Sequence, residues 1–138
     1  MKEFKKKYNF LFLISLLAGA DQLFKYLIRH YDGFYICNPG ISFGFLMPSL
    51  VFYLIVGAFF VLSFLYIWGK ISIKSFPINK IGLSFILGGA LANLADRYNY
   101  GCIIDFIDLG FFPVFNLADI FITIGAIMII MKSSKNNS

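Results

Sequence analysis

Two aspartates stand out by their surroundings: Asp105 in the apolar stretch CIIDFIDLGFF, and Asp119 near the start of the run LADIFITIGAIMII. A solvated carboxylate is not ordinarily flanked by Ile and Phe, and Asp119 has no basic partner in its own segment. An ionisable group in an apolar span costs at least ~2.5–3.5 kcal/mol on insertion scales, so each requires a reason. Two carboxylates brought together in a partly dry site cannot both ionise; one keeps a proton while the other stays charged. Such a pair can hydrolyse a peptide. Its ionised member takes a proton from water as the water attacks a carbonyl, and its protonated member donates to the developing oxyanion or the leaving amine. Asn38, Asn93 and Asn116 add neutral donors and acceptors able to orient the pair or a peptide without bringing another charge.

Other polar residues have plainer readings. Asp21 and Lys25 lie four apart, on one face of a helix, and can neutralise each other. Asn93, Asp96 and Arg97 make a polar stripe at the end of a third apolar segment, where the Asp–Arg neighbours would be interfacial and satisfied by water; Gly88, Gly89, Ala90 and Ala92 precede it and permit close helix approach. His30 is the sole histidine, which argues against Ser-His-Asp, Cys-His and His-rich zinc sites. A carboxylate pair can also bind Mg²⁺, but repeated Asp residues along helices are missing, so no metal and no other cofactor is expected. Cys37 and Cys102 fall in or beside outer loops, where oxidation can occur; a disulfide between them is the lesser reading, because nothing in the sequence shows that they approach each other, and as small apolar residues they need no further role.

These residues need elements to position them, and composition says which. Of 138 residues, 59% are hydrophobic and 14% charged, far from the roughly 45–50% and about 25% of soluble domains; mean hydropathy is +0.80. The excess apolar surface needs lipid. Four apolar segments, 8–29, 50–68, 81–98 and 114–131, are each near the ~20 residues that cross a bilayer core. The net charge of +5 does not form a nucleic-acid patch, because its lysines sit at segment ends: Lys2, Lys5, Lys6 and Lys7, then Lys70, Lys74 and Lys80, then Lys132 and Lys135. That bias places both termini and the 69–80 loop in the cytoplasm, with 31–49 and 99–113 outside. Six of the seven acids fall toward that outer side. The expected fold is an all-α integral membrane protein, a four-transmembrane-helix bundle in one domain over 1–138, with short external loops and room for a small external β element. The first segment also resembles a cleavable signal peptide, but its apolar pattern resumes after Asp21 and completes a span, favouring an uncleaved anchor.

Taken in order, DQLFK (21–25), NPGISFGFL (38–46), GGALANLADRYNYGCIIDFI (88–107) and FNLADIFITIG (115–125) resemble the signature blocks of the lipoprotein signal peptidase, or signal peptidase II, family. The resemblance spans nearly the whole chain. It implies that Asp105 and Asp119 are the catalytic pair, that Asp21, Lys25, Asn38, Gly40, Asn93, Asp96, Arg97 and Asn116 support them or bind substrate, and that Asp96 is not the catalytic acid, a demotion that fits its pairing with Arg97 as a structural or substrate-positioning group. It further implies a bacterial inner-membrane enzyme, monomeric, that cuts diacylglyceryl-modified prolipoproteins before the lipidated Cys, contacts membrane lipids and is inhibited by the cyclic peptide globomycin. The segment 41–49, rich in Phe and Gly, would help to cover the substrate. Ala92 where Gly is usual, Pro39 within the N-x-G block and a short 105–116 stretch depart from the pattern, and bear on substrate range and inhibitor affinity rather than on any catalytic group.

Two rival readings remain. An ion- or proton-conducting subunit would use Asp21 and Asp119 as a relay, but a relay should place carboxylates at several depths. A scaffold held together by polar contacts leaves Asp105 unexplained.

Overall fold

The structure, a computed structural model, describes residues 2–39, 49–70 and 79–136. Four helices and two short strands follow one another: α1 (Lys2–His30), β1 (Ile36–Asn38), α2 (Ser49–Ile67), α3 (Lys80–Tyr100), β2 (Ile103–Asp105) and α4 (Leu117–Asn136). Local chemistry sets the helix ends. The Asn79 side chain accepts from the Ile81 and Gly82 amides at 3.0 and 3.3 Å, satisfying two donors that open α3. At the other end Gly101 adopts φ 74°, and its N–H donates to the Arg97 carbonyl. The fourth apolar segment begins at 114, yet α4 begins at Leu117, because Asn116 and Asp119 form a reciprocal cap. The Asp119 amide donates to Asn116 Oδ1 at 3.0 Å and the Asn116 amide donates to Asp119 Oδ2 at 3.1 Å.

Helix α3 is the centre of the bundle, packed against α1 on one side and α4 on the other. Neighbouring glycines make both approaches close. A Cβ at Gly88 would come within 2.8 Å of Leu17 Cβ on α1, and one at Gly89 would run into the Ala118 carbonyl oxygen on α4. The small-residue seam therefore serves two interfaces at once. Helix α2 joins the bundle at its other end, where Ile67 packs with Phe10 of α1 and Leu83 and Leu87 of α3.

Elsewhere the helices turn apolar side chains outward: Phe12, Leu16, Leu54, Leu62 and Ile130 are all exposed. Among the described residues two stretches, Asn9–His30 and Leu117–Ser134, are long and apolar enough to cross a membrane. Only 22% and 11% of them is buried, so these are not the sequestered core helices of a soluble domain. Their outer faces suit lipid.

At the far end of α3 the chain turns into β2, which pairs antiparallel with β1 in the register Ile36↔Asp105, Cys37↔Ile104 and Asn38↔Ile103. An Ile107↔Phe115 bridge returns the chain toward α4. Here the reading of the cysteines is corrected. Cys37 and Cys102 are disulfide-bonded, with Cα atoms 5.5 Å apart, because the strand pairing brings together loops that are 65 residues apart in sequence.

Candidate active site

The β pair and the starts and ends of the helices converge on one polar cluster. Asp105, the last residue of β2, is 2% exposed. Its Oδ2 accepts from Asn38 Nδ2 at 3.0 Å, across the strand pair, and its Oδ1 accepts from Asn116 Nδ2 at 2.7 Å, from the residue that caps α4. Asp119 is half-buried in the first turn of α4. Its Oδ1 accepts from Asn93 Nδ2 at 2.9 Å, while Oδ2 is engaged by the Asn116 amide.

Asn93 and Asn116 tie the two carboxylates together. Asn93 Oδ1 accepts from both Asn116 Nδ2 at 3.0 Å and Lys25 Nζ at 3.1 Å. With both lone pairs of that oxygen taken, its amide nitrogen must face Asp119. Asn116 in turn gives one amide group to Asn93 and Asp105 together. Each link fixes the next.

Beneath this layer lies a fully buried ionic group. Lys25 Nζ sits 2.7 Å from Asp21 Oδ2 and 2.7 Å from Asp96 Oδ2. Asp21 Oδ1 accepts from the Ala118 amide at 2.8 Å, satisfying another open donor at the start of α4. Asp96 also accepts from Gln22 Nε2 at 2.8 Å and from the Ile104 amide at 3.1 Å, so it fixes the approach of β2. The expected Asp96–Arg97 pairing is thereby replaced. Adjacent residues on a helix point about 100° apart. Asp96 turns inward to Lys25, and Arg97 faces a cavity.

That cavity, of about 820 Å³, is bordered by Asn38, Asn93, Arg97, Asp105, Phe112 and Asp119 among others. Burial, the larger effect, pushes the Asp105 carboxyl above its ordinary 3.8; the charge of Asp119 pushes the same way, and hydrogen bonds from Asn38 and Asn116 pull it back. Chemically the cavity offers one carboxyl biased toward its protonated form, a second with more access to the opening, amide donors and a guanidinium. Gly40 lies outside the described residues, as does most of 41–49. Of the other residues singled out from sequence, Asn38, Asn93, Arg97, Asp105 and Asp119 border the cavity, and Asn116 braces two of them. Asp21, Lys25 and Asp96 form the buried group behind it. Gln22 was not singled out. Its place within DQLFK, beside Asp21, was the available signal.

Comparisons with known proteins agree with this arrangement. The family model described as Signal peptidase (SPase) II matches residues 13–135. A lipoprotein signal peptidase of Syntrophomonas wolfei is 45% identical over 97 residues, covering 70% of this chain and 64% of that one, so the matched region spans less than two thirds of that relative. Those of Caldanaerobacter subterraneus and Moorella thermoacetica are each 34% identical, over 85% and 87% of this chain and 90% and 89% of theirs. A solved bacterial membrane enzyme structure at 2.3 Å resolution superposes with a TM-score of 0.77 at 27% identity, covering 94% of this chain and 90% of that one. With the family model matched across nearly the whole described bundle, this chain belongs to the signal peptidase II family.

Proposed function

We propose that this chain is a membrane-embedded aspartyl endopeptidase that removes the signal peptide from diacylglyceryl-modified prolipoproteins, cutting before the lipidated Cys. One observation carries the reading: Asp105 and Asp119, from different elements, border a single cavity and are braced by a common pair of asparagines. In the proposed reaction a water lies between the two carboxyls. Asp119, the more open, takes its proton as the oxygen attacks the scissile carbonyl; Asp105, biased toward protonation, donates to the oxyanion. Asn38, Asn93 and Asn116 hold the two acids, Arg97 contacts the peptide backbone from the cavity wall, and the Asp21–Lys25–Asp96 group fixes α1, α3, β2 and α4 relative to one another.

All four helices span the membrane in this proposal, as one uncleaved domain over 1–138, with both termini cytoplasmic and the cavity toward the outer face of a bacterial inner membrane. The disulfide supports that orientation, because such bonds persist on the oxidising side. A lipidated Cys anchors the scissile bond at the membrane surface, so a pair of acids at that depth meets it with much of the positioning entropy already removed. The enzyme acts as a monomer, and globomycin competes for the cavity. A conducting subunit is not favoured, since the described carboxylates crowd toward one end of the bundle.

Purified protein incubated with a diacylglyceryl-modified precursor and its unmodified twin tests the reading. Cleavage of the first only, blocked by globomycin, is expected. Equal cleavage of both, or dissipation of an ion gradient in liposomes without cleavage of either, would overturn it.

A further inference from the structure

The strand pair that delivers Asn38 to Asp105 is very short. Three residues on each side make the ladder, and two-stranded pairs of that size are at best marginally stable in water. Strand β1 adds little burial of its own: Ile36 and Cys37 are exposed. Yet Asn38 supplies one of the two side-chain amides that engage Asp105, through a 3.0 Å hydrogen bond whose length depends on β1 staying in register. The Cys37–Cys102 bridge bears directly on this. Cys37 adjoins Asn38, and Cys102 is buried between the α3 cap at Gly101 and β2, whose last residue is Asp105.

We propose that the Cys37–Cys102 disulfide is a positioning element of the site, clamping β1 onto the rigid end of α3 so that the Asn38 amide stays on the Asp105 carboxylate. The proposal rests on the reading of Asp105 as a catalytic acid. Its consequence is that turnover by this enzyme depends on the redox state of its surroundings. Reduction by a dithiol transfers two electrons and two protons to the S–S bond, leaving two protein thiols and an oxidised, cyclic disulfide reagent. Cys37 is exposed while Cys102 is buried, so the reagent approaches the bond from the β1 side.

The test uses the full chain in detergent with a diacylglyceryl-modified precursor. Initial rates are compared before and after dithiothreitol, in the parent, Asn38→Ala, the double variant Cys37→Ser/Cys102→Ser and Asp105→Asn. In the parent, reduction should lower kcat roughly tenfold, the size of one neutral hydrogen bond, with KM within about twofold. The double serine variant should start at that lower rate and ignore the reductant. A bridge that merely stabilised the fold would lower the Asn38→Ala rate as well; here, reduction should leave kcat of Asn38→Ala unchanged, because the bond it protects is already gone. An unaltered kcat in the reduced parent, an equal loss in Asn38→Ala, or two free thiols in the protein as isolated would each overturn the proposal. Full activity in Asp105→Asn would instead remove the reading on which it rests, and the proposal with it.

Discussion

Asp105 is gripped by amides from two directions while most of its surface is denied to water, and these influences oppose one another. Burial prevails, so its carboxyl lies above its ordinary 3.8 in the folded protein. Below 3.8 both folded and unfolded chains hold the proton; as pH climbs above 3.8 the unfolded chain releases it first, and stability falls until the folded site releases it too. Asp105→Asn removes that titration, while setting an amide nitrogen against one of the donors from Asn38 and Asn116. The parent's melting temperature in detergent should therefore fall relative to that of Asp105→Asn as pH rises above 3.8, whatever the variant's own starting value. A variant that follows the parent's pH trend, or a parent that gains on it as pH rises, would contradict this. Lys25 poses the opposite case. Lys25→Met strands two buried carboxylates, Asp21 and Asp96, and removing one partner from a buried ionic group destabilises by about 3–5 kcal/mol. Markedly reduced accumulation in the membrane is expected, and parental stability by thermal unfolding would refute the assignment. At this scale much was legible: the unusual acids and asparagines announce themselves by their apolar neighbours. Partner choice was not, since whether Asp96 pairs with Lys25 or Arg97 depends on which helix its face meets.

Among the elements, α3 sets the geometry, because both glycine approaches lie along it and its Asp96 meets the Asp21–Lys25 pair of α1. Gly89 backs onto the carbonyl of Ala118, one residue before Asp119. Gly89→Val should push the start of α4 away, lowering stability by about 1–3 kcal/mol as other overpacked sites do, and reducing cleavage more than a comparable change at the exposed Leu91. Unchanged cleavage with a lowered melting temperature would separate packing from catalysis and count against this coupling. The glycine–alanine run was readable from sequence as a close-approach seam. That it meets α1 through Gly88 and α4 through Gly89 needed the fold. Similarly, the apolar run starting at 114 concealed the cap at Asn116, since hydropathy registers side-chain character and not whether a side chain is spent on closing a helix end.

For the molecule as a whole, the proposed orientation makes separate demands on its two ends. Phe111, 86% exposed in the turn between β2 and α4, should lie outside, and Lys132 near the end of α4 should lie inside. A membrane-impermeant thiol reagent added to intact cells should label Phe111→Cys but leave Lys132→Cys untouched until the cells are opened; the reverse pattern would invert the topology. Apolar segments, lysine bias and signature blocks made the helical bundle and its family legible from sequence. The disulfide was not, because joining Cys37 to Cys102 requires a strand register set by backbone pairing across 65 residues. The proposed function of the whole molecule depends on the two acids that share the cavity. The most direct measurement is the initial rate of cleavage of a diacylglyceryl-modified precursor by purified Asp105→Asn and Asp119→Asn, at protein levels matched to the parent. Each variant should lose at least ~1,000-fold while remaining folded, and parental turnover in either would contradict the account.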